Sequence, residues 1–200
     1  MTACLRVQDL SVRYGAGRPV LERFSLEIGP GEVVGLVGSS GSGKSTLMLA
    51  ILGLLPRGAV QTGCIECAGR IGAFFQEPSS ALNPVLKIGT QIQEVMRTAG
   101  EASRDRALRA LAEVELPAER VFDSYPHQLS GGQLQRVLFV QATIVEPVLI
   151  IADEPAAALD DDTKAQMMRL FSARRGRTGM LFITHEEELL ESFADKVVRL

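Results

Sequence analysis

The apolar run Val33–Val37 leads directly into the glycine-rich segment Gly38-Ser39-Ser40-Gly41-Ser42-Gly43-Lys44-Ser45. A continuous apolar run of this kind is typical of a strand buried on both faces, as in parallel sheets covered by helices. The apolar residues that follow predict a helix from Lys44 to about Leu54, stopped near Pro56. A strand, a glycine-rich loop and a helix in this order predict a parallel α/β fold.

The glycine-rich segment is suited to bind phosphate groups. Gly38, Gly41 and Gly43 let the backbone wrap closely, so that its N–H groups point inward. The helix that begins there adds the positive end of its dipole. Lys44 can place its charge on the β and γ phosphates, and the Ser45 hydroxyl can bind Mg²⁺. The segment therefore predicts a site for a nucleoside triphosphate.

A second glycine-rich segment, Leu129-Ser130-Gly131-Gly132-Gln133, lies far downstream. Ser130 is suited to cap a helix predicted from Gly131 to about Val145. Between the two segments, from about Pro78 to Tyr125, apolar residues recur at helical spacing and predict a mainly helical insertion. The chain therefore offers two helix N-termini to phosphate groups, and the insertion carries the second one away from the first.

An acidic pair and a histidine each follow an apolar strand. Asp153 and Glu154 come after Val148–Ala152, and His185 comes after Met180–Thr184, at the strand ends where parallel sheets place their ligands. Asp153 is predicted to hold Mg²⁺, and Glu154 to orient and deprotonate a water molecule. His185 is predicted to contact the γ-phosphate. The alternatives are a solvated acidic turn and a surface histidine.

Further strands and one more helix complete the predicted fold. Short half-buried strands are predicted at Leu5–Val7, Leu10–Arg13 and Phe24–Ile28, further strands at Ile71–Phe75 and Val197–Leu200, and a helix from Thr163 to Ala173. The prediction is a parallel core sheet with an antiparallel N-terminal β layer and a helical subdomain.

The overall composition narrows the class of protein. The net charge of -3 does not favour binding to nucleic acid. Three cysteines suit a reducing compartment.

Cys64 and Cys67 have a metal-binding spacing. On a strand, however, this spacing points the two sulfurs to opposite faces, and the sequence has no second ligand pair. The spacing therefore does not favour a metal site.

No membrane span or secretory signal is expected from the sequence. The longest apolar run, Leu47–Leu55, is shorter than the roughly 20 residues that cross a bilayer. The first residues lack a basic segment followed by an apolar one. We therefore expect a cytosolic protein that reaches a membrane only through a partner.

Seven segments, in this order along the chain, resemble the motifs of the ATP-binding subunits of ABC transporters. They are an aromatic residue that stacks on adenine (Tyr14), the P-loop (Gly38 to Ser45, followed by Thr46), the Q-loop (Gln76), the signature (Leu129 to Gln133), the acidic pair (Asp153 and Glu154), the D-loop (Ala158-Leu159-Asp160) and the switch histidine (His185). The resemblance covers nearly the whole chain. It implies the P-loop NTPase fold of ABC ATPases, with ATP and Mg²⁺ as cofactors.

The resemblance also implies a set of site residues. Catalytic roles fall to Lys44, Gln76, Glu154 and His185. Mg²⁺ would be held by Ser45, Gln76 and Asp153. ATP would be bound by Tyr14, Gly38, Ser39, Ser40, Gly41, Ser42, Gly43, Lys44, Ser45 and Thr46, and by Ser130, Gly131, Gly132 and Gln133.

The two phosphate-binding segments imply a pair of subunits. The resemblance implies a head-to-tail dimer, in which the signature of one subunit covers the P-loop of the other and two ATP molecules lie in the interface. Hydrolysis would loosen this interface, so that the dimer is a nucleotide-controlled clamp. A homodimer and a heterodimer with a second ABC ATPase both remain open.

Two further segments point to a subfamily. They resemble segments of dipeptide, oligopeptide and nickel importers, and they are Gln76-Glu77-Pro78-Ser79-Ser80-Ala81-Leu82-Asn83-Pro84 and Tyr125-Pro126-His127-Gln128. This implies an energy-coupling ATPase at the cytoplasmic face of the inner membrane. It also implies two transmembrane permease subunits as partners, and indirectly an extracytoplasmic solute-binding protein. The D-loop departs from the family pattern, with alanines where Thr and Ser are common.

The resemblance predicts a single domain over residues 1–200. Residues 1–77 and 146–200 would form the nucleotide-binding core, and about 78–145 the helical subdomain. One alternative is a soluble ABC ATPase acting in translation or DNA maintenance. Another is an ordinary P-loop kinase or GTPase, which needs no Leu-Ser-Gly-Gly-Gln segment.

Overall fold

The computed structural model describes residues 3–157 and 159–200. The strands are β1 (Leu5–Tyr14), β2 (Leu21–Ile28), β3 (Val33–Val37), β4 (Ala59–Cys67), β5 (Ile71–Phe74), β6 (Leu149–Asp153), β7 (Gly179–Ile183) and β8 (Lys196–Arg199). The helices are α1 (Lys44–Ile51), α2 (Pro78–Ala81), α3 (Ile88–Arg97), α4 (Arg104–Glu113), α5 (Ala118–Asp123), α6 (Gly131–Thr143), α7 (Asp161–Ser172) and α8 (Glu187–Phe193), with a 3₁₀ turn at Pro126–Gln128.

The chain divides into two compact units. The first comprises Met1–Ile71, Val148–Glu154 and Arg174–Leu200, and the second comprises Gly72–Pro147 and Pro155–Ala173. The first unit holds the antiparallel sheet and the strands β3, β6, β7 and β8, whereas most of the helices belong to the second. Among the helices of the described residues, none is both long and apolar enough to cross a bilayer.

The parallel strands of the first unit lie in the order β6–β7–β3–β8. All five residues of β3 are buried, which confirms the strand expected from the apolar run Val33–Val37. Leu36 pairs with Ile183, and Ile183 pairs with Asp153, so β3, β7 and β6 end at the same level. The segments that follow these strands therefore leave the sheet at one edge.

The antiparallel layer has the strand order β2–β1–β4. The prediction of two short strands at Leu5–Val7 and Leu10–Arg13 was wrong, because both belong to the single strand β1. A bulge separates the two halves: the register with β2 shifts between Val7 and Leu10, and Asp9 has a φ of 46°. This bulge interrupts the alternation of apolar and polar residues, which made one strand look like two.

Gly63 on β4 lies opposite this bulge. Its φ is 92°, and a Cβ atom there would come within 2.6 Å of the carbonyl oxygens of Gln8 and Asp9. A larger residue would push the bulge and β4 apart. Only glycine therefore fits this register, and it also weakens the strand signal of the surrounding sequence.

Helix α1 ends at Ile51, three residues before the predicted Leu54. Gly53 takes a φ of 68°, and the Leu54 N–H donates to the Leu49 carbonyl at 2.8 Å. This is the hydrogen bond of a glycine-terminated helix, so Gly53 ends the helix before Pro56 is reached. Other predicted ends are moved by a few residues, as at β2, β5, β6, β7, β8, α6 and α7.

Two elements of the first unit were not predicted. Strand β4 is exposed along most of its length, so no alternating pattern marks it. It carries Cys64 and Cys67, which are exposed and half-buried respectively. Helix α8 is short, and a run of glutamates from Glu186 to Glu188 lies at its start. Its sequence therefore shows too few apolar residues at helical spacing to predict a helix.

The second unit is mainly helical, and the insertion predicted from about Pro78 to Tyr125 lies within it as the helices α2 to α5. Phe171 of α7 packs edge-on against Phe74 of β5 and Phe139 of α6, with ring centroids 5.5 Å and 5.0 Å apart. Arg106 of α4 ion-pairs with Glu101 and donates to the Ile144 carbonyl at the end of α6 at 2.6 Å. These contacts hold α6, which begins at the signature segment, inside its unit.

Candidate functional site

The glycine-rich loop joins β3 to α1, as predicted. Gly43 is the N-cap of α1 and has a φ of 105°. A Cβ atom on Gly43 would lie 2.8 Å from Leu21 Cδ2, and one on Gly38 would lie 2.5 Å from Ser42 Oγ. Because Gly43 has no side chain to cap the helix, the first N–H groups of α1 are left for an external acceptor.

Lys44 closes over this loop. Its Nζ donates to the carbonyl oxygens of Gly38 at 2.7 Å and Ser39 at 3.0 Å. Among the described residues, the buried Oγ of Ser42 has no hydrogen-bond partner. A cationic amine, an unpaired hydroxyl and an uncapped helix N-terminus are the groups that a triphosphate needs, so the loop fits this ligand.

Asp153 ends β6 and is half-buried. Burial raises the pKa of its carboxyl group above the ordinary value; the neighbouring charge of Glu154 raises it further, and Lys44 opposes both effects. Two adjacent carboxylates at the edge of a buried strand favour a cation. The residues therefore fit Mg²⁺, which prefers carboxylate and hydroxyl oxygens.

Glu154 has a φ of 46°, and its N–H donates to the Ile183 carbonyl at 2.8 Å. Its Oε2 accepts a hydrogen bond from Thr184 Oγ1 at 3.0 Å. Its Oε1 accepts the His185 N–H at 3.1 Å and lies 2.9 Å from His185 Nδ1. The structure thus brings together Glu154, the predicted base for water, and His185, the predicted contact of the γ-phosphate. It adds Thr184, which was not among the predicted residues although it directly precedes the histidine.

His185 is mostly exposed, with 68% of its side chain accessible, compared with 13% for Glu154. The hydrogen bond that the His185 ring donates to Glu154, and then the charge of Glu154, raise the pKa of the ring above its ordinary value, against a smaller opposing effect of burial. The ring therefore holds its proton more firmly in the folded protein than in the unfolded chain. A protonated ring can donate to an anion, as the predicted contact with a phosphate requires.

We expect this pair to make stability depend on pH. A histidine whose folded-state pKa is raised stabilises the protein below its unfolded value of about 6.5, and this contribution is lost as pH rises through the folded-state pKa. His185→Gln should therefore lower the melting temperature by about 1–3 °C at pH 6 and by less at pH 9, because solvent screens an exposed pair. Thermal melts at both pH values measure this.

The control for this experiment is His127→Gln, which changes the other of the two histidines of the chain. The His127 ring stacks on Tyr125, an aromatic neighbour in place of a carboxylate. A melting-temperature difference for His185→Gln that is the same at both pH values would contradict the assigned ion pair.

Tyr14 ends β1, and its phenol oxygen lies 3.2 Å from Thr46 Oγ1 in the first turn of α1. The residue remains accessible, with 37% of its surface exposed. The structure therefore places the predicted aromatic residue beside the phosphate loop. Its stacking on adenine remains a prediction.

The signature segment lies in the second unit and opens α6. Ser130 is the N-cap: its Oγ accepts the Gln133 N–H at 3.4 Å, while Gln133 Oε1 accepts the Ser130 N–H at 3.0 Å. The predicted N-cap is therefore confirmed. Beyond its chain neighbours and the backbone of its own helix, a Cβ atom added to Gly131 would meet no atom of the described residues within 4 Å, so this position in the first turn of α6 is open.

The D-loop leads into α7 in the second unit. Ala158 lies outside the described residues. Asp160 caps α7 by accepting the Thr163 N–H at 3.0 Å and the Thr163 hydroxyl at 2.7 Å. These bonds lower the pKa of Asp160 below its ordinary value. The Thr163 methyl group also packs on the signature glycine Gly132, where an added Cβ would lie 3.1 Å away.

Gln76, the predicted Q-loop residue, lies between β5 and α2 in the second unit. Its backbone carbonyl accepts the Gln135 side-chain amide of α6 at 3.3 Å. This contact fixes the backbone of Gln76 and does not engage its side chain. The roles predicted for that side chain remain predictions.

Comparison with known proteins agrees with the motifs. The ABC transporter family profile matches residues 21–157. The probable D,D-dipeptide transport ATP-binding protein DdpD of Escherichia coli is 40% identical over 88% of this chain and 62% of its own length. The oligopeptide transport ATP-binding protein OppD of Mycobacterium bovis is 38% identical over 99% of this chain and 37% of its own length. The chain thus spans less than two thirds of these relatives.

A solved structure shows the same fold. A dimeric ATP-binding cassette in a post-hydrolysis state, bound to ADP and Pi, superposes with a TM-score of 0.81 and 30% sequence identity, covering 98% of this chain and 94% of its own. The α/β fold of ABC ATPases implied by the motifs is therefore confirmed. By its sequence profile and its fold, the chain belongs to the ABC transporter family.

Proposed function

We propose that this chain binds ATP with Mg²⁺ and hydrolyses it to drive the import of a di- or oligopeptide. The observation that carries the proposal is the convergence of the phosphate loop, Asp153, Glu154 and His185 at one edge of the parallel sheet. The two relatives are named for the transport of D,D-dipeptides and of oligopeptides, which supports the peptide cargo. Nickel or another metal chelate is the second cargo class.

The residues of the first unit divide the work of hydrolysis. The backbone of Gly38 to Gly43 and the N-terminus of α1 bind the phosphates, and Lys44 exchanges its two carbonyl partners for phosphate oxygens. Ser45 and Asp153 hold Mg²⁺, and Tyr14 supports the adenine. Glu154 orients a water molecule and accepts its proton, while His185 contacts the terminal phosphate. Bound MgATP supplies the phosphoanhydride bond and the cation that neutralises its charge.

A second subunit completes the proposal. The signature segment would cover the ATP held by a partner cassette, through Ser130, Gly131, Gly132 and Gln133. ATP would then close the dimer, and hydrolysis would open it. The open first turn of α6 at Gly131 and the dimeric state of the structural relative support this arrangement. The partner is a second copy of this chain or a different ABC ATPase.

The membrane partners are proposed to be two permease subunits, contacted at the cytoplasmic face of the inner membrane. Residues 1–77 and 146–200 would act as the nucleotide-binding core and about 78–145 as the helical subdomain that meets the permease. The segment after Gln76 carries an exposed apolar side chain, Val85, with 74% of the residue accessible. This side chain is accessible to a partner protein.

The test is affinity purification of the tagged chain from detergent-solubilised source membranes, with mass spectrometry of the bound proteins. We expect two permease subunits, and less of them with Val85→Glu. Leu54→Glu is the matched control, since Leu54 is also exposed, at 57%, but lies in the first unit. Recovery only from the soluble fraction, with ribosomal or DNA-associated proteins, would overturn the transport proposal and leave the ATPase chemistry standing.

A further inference from the structure

We propose that Thr184 is a positioning residue for Glu154: its buried hydroxyl holds one carboxylate oxygen of the general base, so that the base keeps its orientation when His185 moves. This inference rests on the proposed function, because it assigns a role to Thr184 only if Glu154 accepts the proton of the attacking water. The contact that carries it is the 3.0 Å hydrogen bond from Thr184 Oγ1 to Glu154 Oε2.

Thr184 is fixed in place by its backbone and by burial. It follows the last residue of β7, and its N–H donates to the Leu36 carbonyl of β3 at 3.2 Å. Only 2% of the residue is exposed. Its backbone is therefore part of the sheet edge, and a buried β-branched side chain has little freedom to turn. A hydroxyl held in this way is a rigid donor.

The direction of the hydrogen bond follows from the neighbours of the hydroxyl. The Glu186 N–H lies 3.2 Å from Thr184 Oγ1 and can only donate to it. A hydroxyl has one hydrogen, and this hydrogen is left for Glu154 Oε2, which as a carboxylate oxygen can only accept. The hydrogen bonds from the Glu186 N–H to Thr184 Oγ1 and from the Thr184 hydroxyl to Glu154 Oε2 therefore run in one direction and hold this carboxylate oxygen in place.

The other carboxylate oxygen is held differently. Glu154 Oε1 accepts from the His185 N–H at 3.1 Å and faces the His185 ring at 2.9 Å. The ring is largely exposed and is the group proposed to turn to a phosphate. When it does so, the His185 N–H and the Thr184 hydroxyl remain as donors. These two donors, one to each oxygen, then set the plane of the carboxylate.

The experiment compares Thr184→Val with Thr184→Ser in steady-state phosphate release by the purified chain. Valine keeps the shape and removes the hydroxyl, so kcat should fall about ten- to a hundredfold, the factor for losing one hydrogen bond to a charged group. The KM for ATP should stay within about twofold, because the hydroxyl is bonded to Glu154 and Glu186 and not to the phosphate loop. Serine restores the donor and should keep kcat within about threefold of the unchanged chain.

Two controls separate positioning from a general effect of burial. Thr143→Val removes another buried hydroxyl, 4% exposed, which donates to the Phe139 carbonyl within α6; it should leave kcat unchanged. In a Glu154→Gln background, Thr184→Val should add nothing to the loss of turnover, because residues that act together are not additive. If the valine variant fails to fold, Thr184→Ala replaces it in the same comparison.

The outcomes are distinct. Three results would each overturn the role of Thr184 and leave the proposed function intact. They are an unchanged kcat in Thr184→Val or Thr184→Ala, equal losses of kcat for valine and serine, and a full further loss of kcat in the Glu154→Gln background. Normal turnover by Glu154→Gln alone would instead overturn the proposed function, and with it the reason for positioning Glu154.

Discussion

Glu154→Gln should keep ATP affinity within about twofold and lower the rate of phosphate release by about 10²–10⁴-fold, the usual contribution of a general base. Glutamine has nearly the same shape and retains an oxygen that can accept from His185. Its amide group cannot take up the proton of an attacking water molecule. Binding, which depends on the phosphate loop, is therefore preserved while the chemical step is lost.

The same variant should accumulate a closed dimer in the presence of ATP, because hydrolysis is the step proposed to open the clamp. Nucleotide titration, a phosphate-release assay and size-exclusion chromatography with and without ATP measure the three consequences. Glu191→Gln changes an exposed glutamate of α8 and should behave as the unchanged chain. Normal phosphate release by Glu154→Gln would remove Glu154 from the role of base.

Lys44→Ala should weaken ATP binding by about ten- to a hundredfold, since a charged hydrogen-bond donor contributes about 1.5–3 kcal/mol. The amine of Lys44 lies over the loop and is held by the carbonyl oxygens of Gly38 and Ser39. A phosphate oxygen is a better partner for a cation than either carbonyl. The lost affinity should also appear as a lost thermal stabilisation by ATP.

Two controls make the Lys44 prediction specific. Lys196→Ala removes an exposed lysine of β8 in the same unit and should leave ATP affinity unchanged. Lys44→Met keeps most of the side-chain volume and should bind as weakly as Lys44→Ala, because the charge and not the packing is decisive. Unchanged affinity in Lys44→Ala, measured by calorimetry, would refute the phosphate-loop assignment.

The parts of the fold that depend on continuous local patterns could be predicted from the sequence. The buried strand Val33–Val37 and the helix cap at Ser130 are both present, because a run of apolar residues and a capping residue act within a few positions. The bulge at Asp9 and the exposed strand β4 could not be predicted in this way. Their conformation depends on partner strands that lie far away in the sequence.

The candidate site shows the same division. Four site residues could be predicted because each follows a strand whose end lies at one edge of the sheet. They are Lys44, Asp153, Glu154 and His185. The pairing of Glu154 with Thr184 could not be named, since it depends on the register of β6 with β7, Asp153 opposite Ile183. A side-chain contact of this kind emerges only once the strands are aligned.

Glu154 combines a strained backbone conformation with a side chain that the proposed reaction needs. With a φ of 46°, this residue occupies a region that costs a non-glycine residue about 1–3 kcal/mol. Glycine would relieve that backbone strain, yet it would delete the carboxylate on which turnover is proposed to depend, together with its hydrogen bonds to Thr184 and His185. The backbone conformation alone would therefore favour glycine at position 154, whereas the proposed reaction requires glutamate.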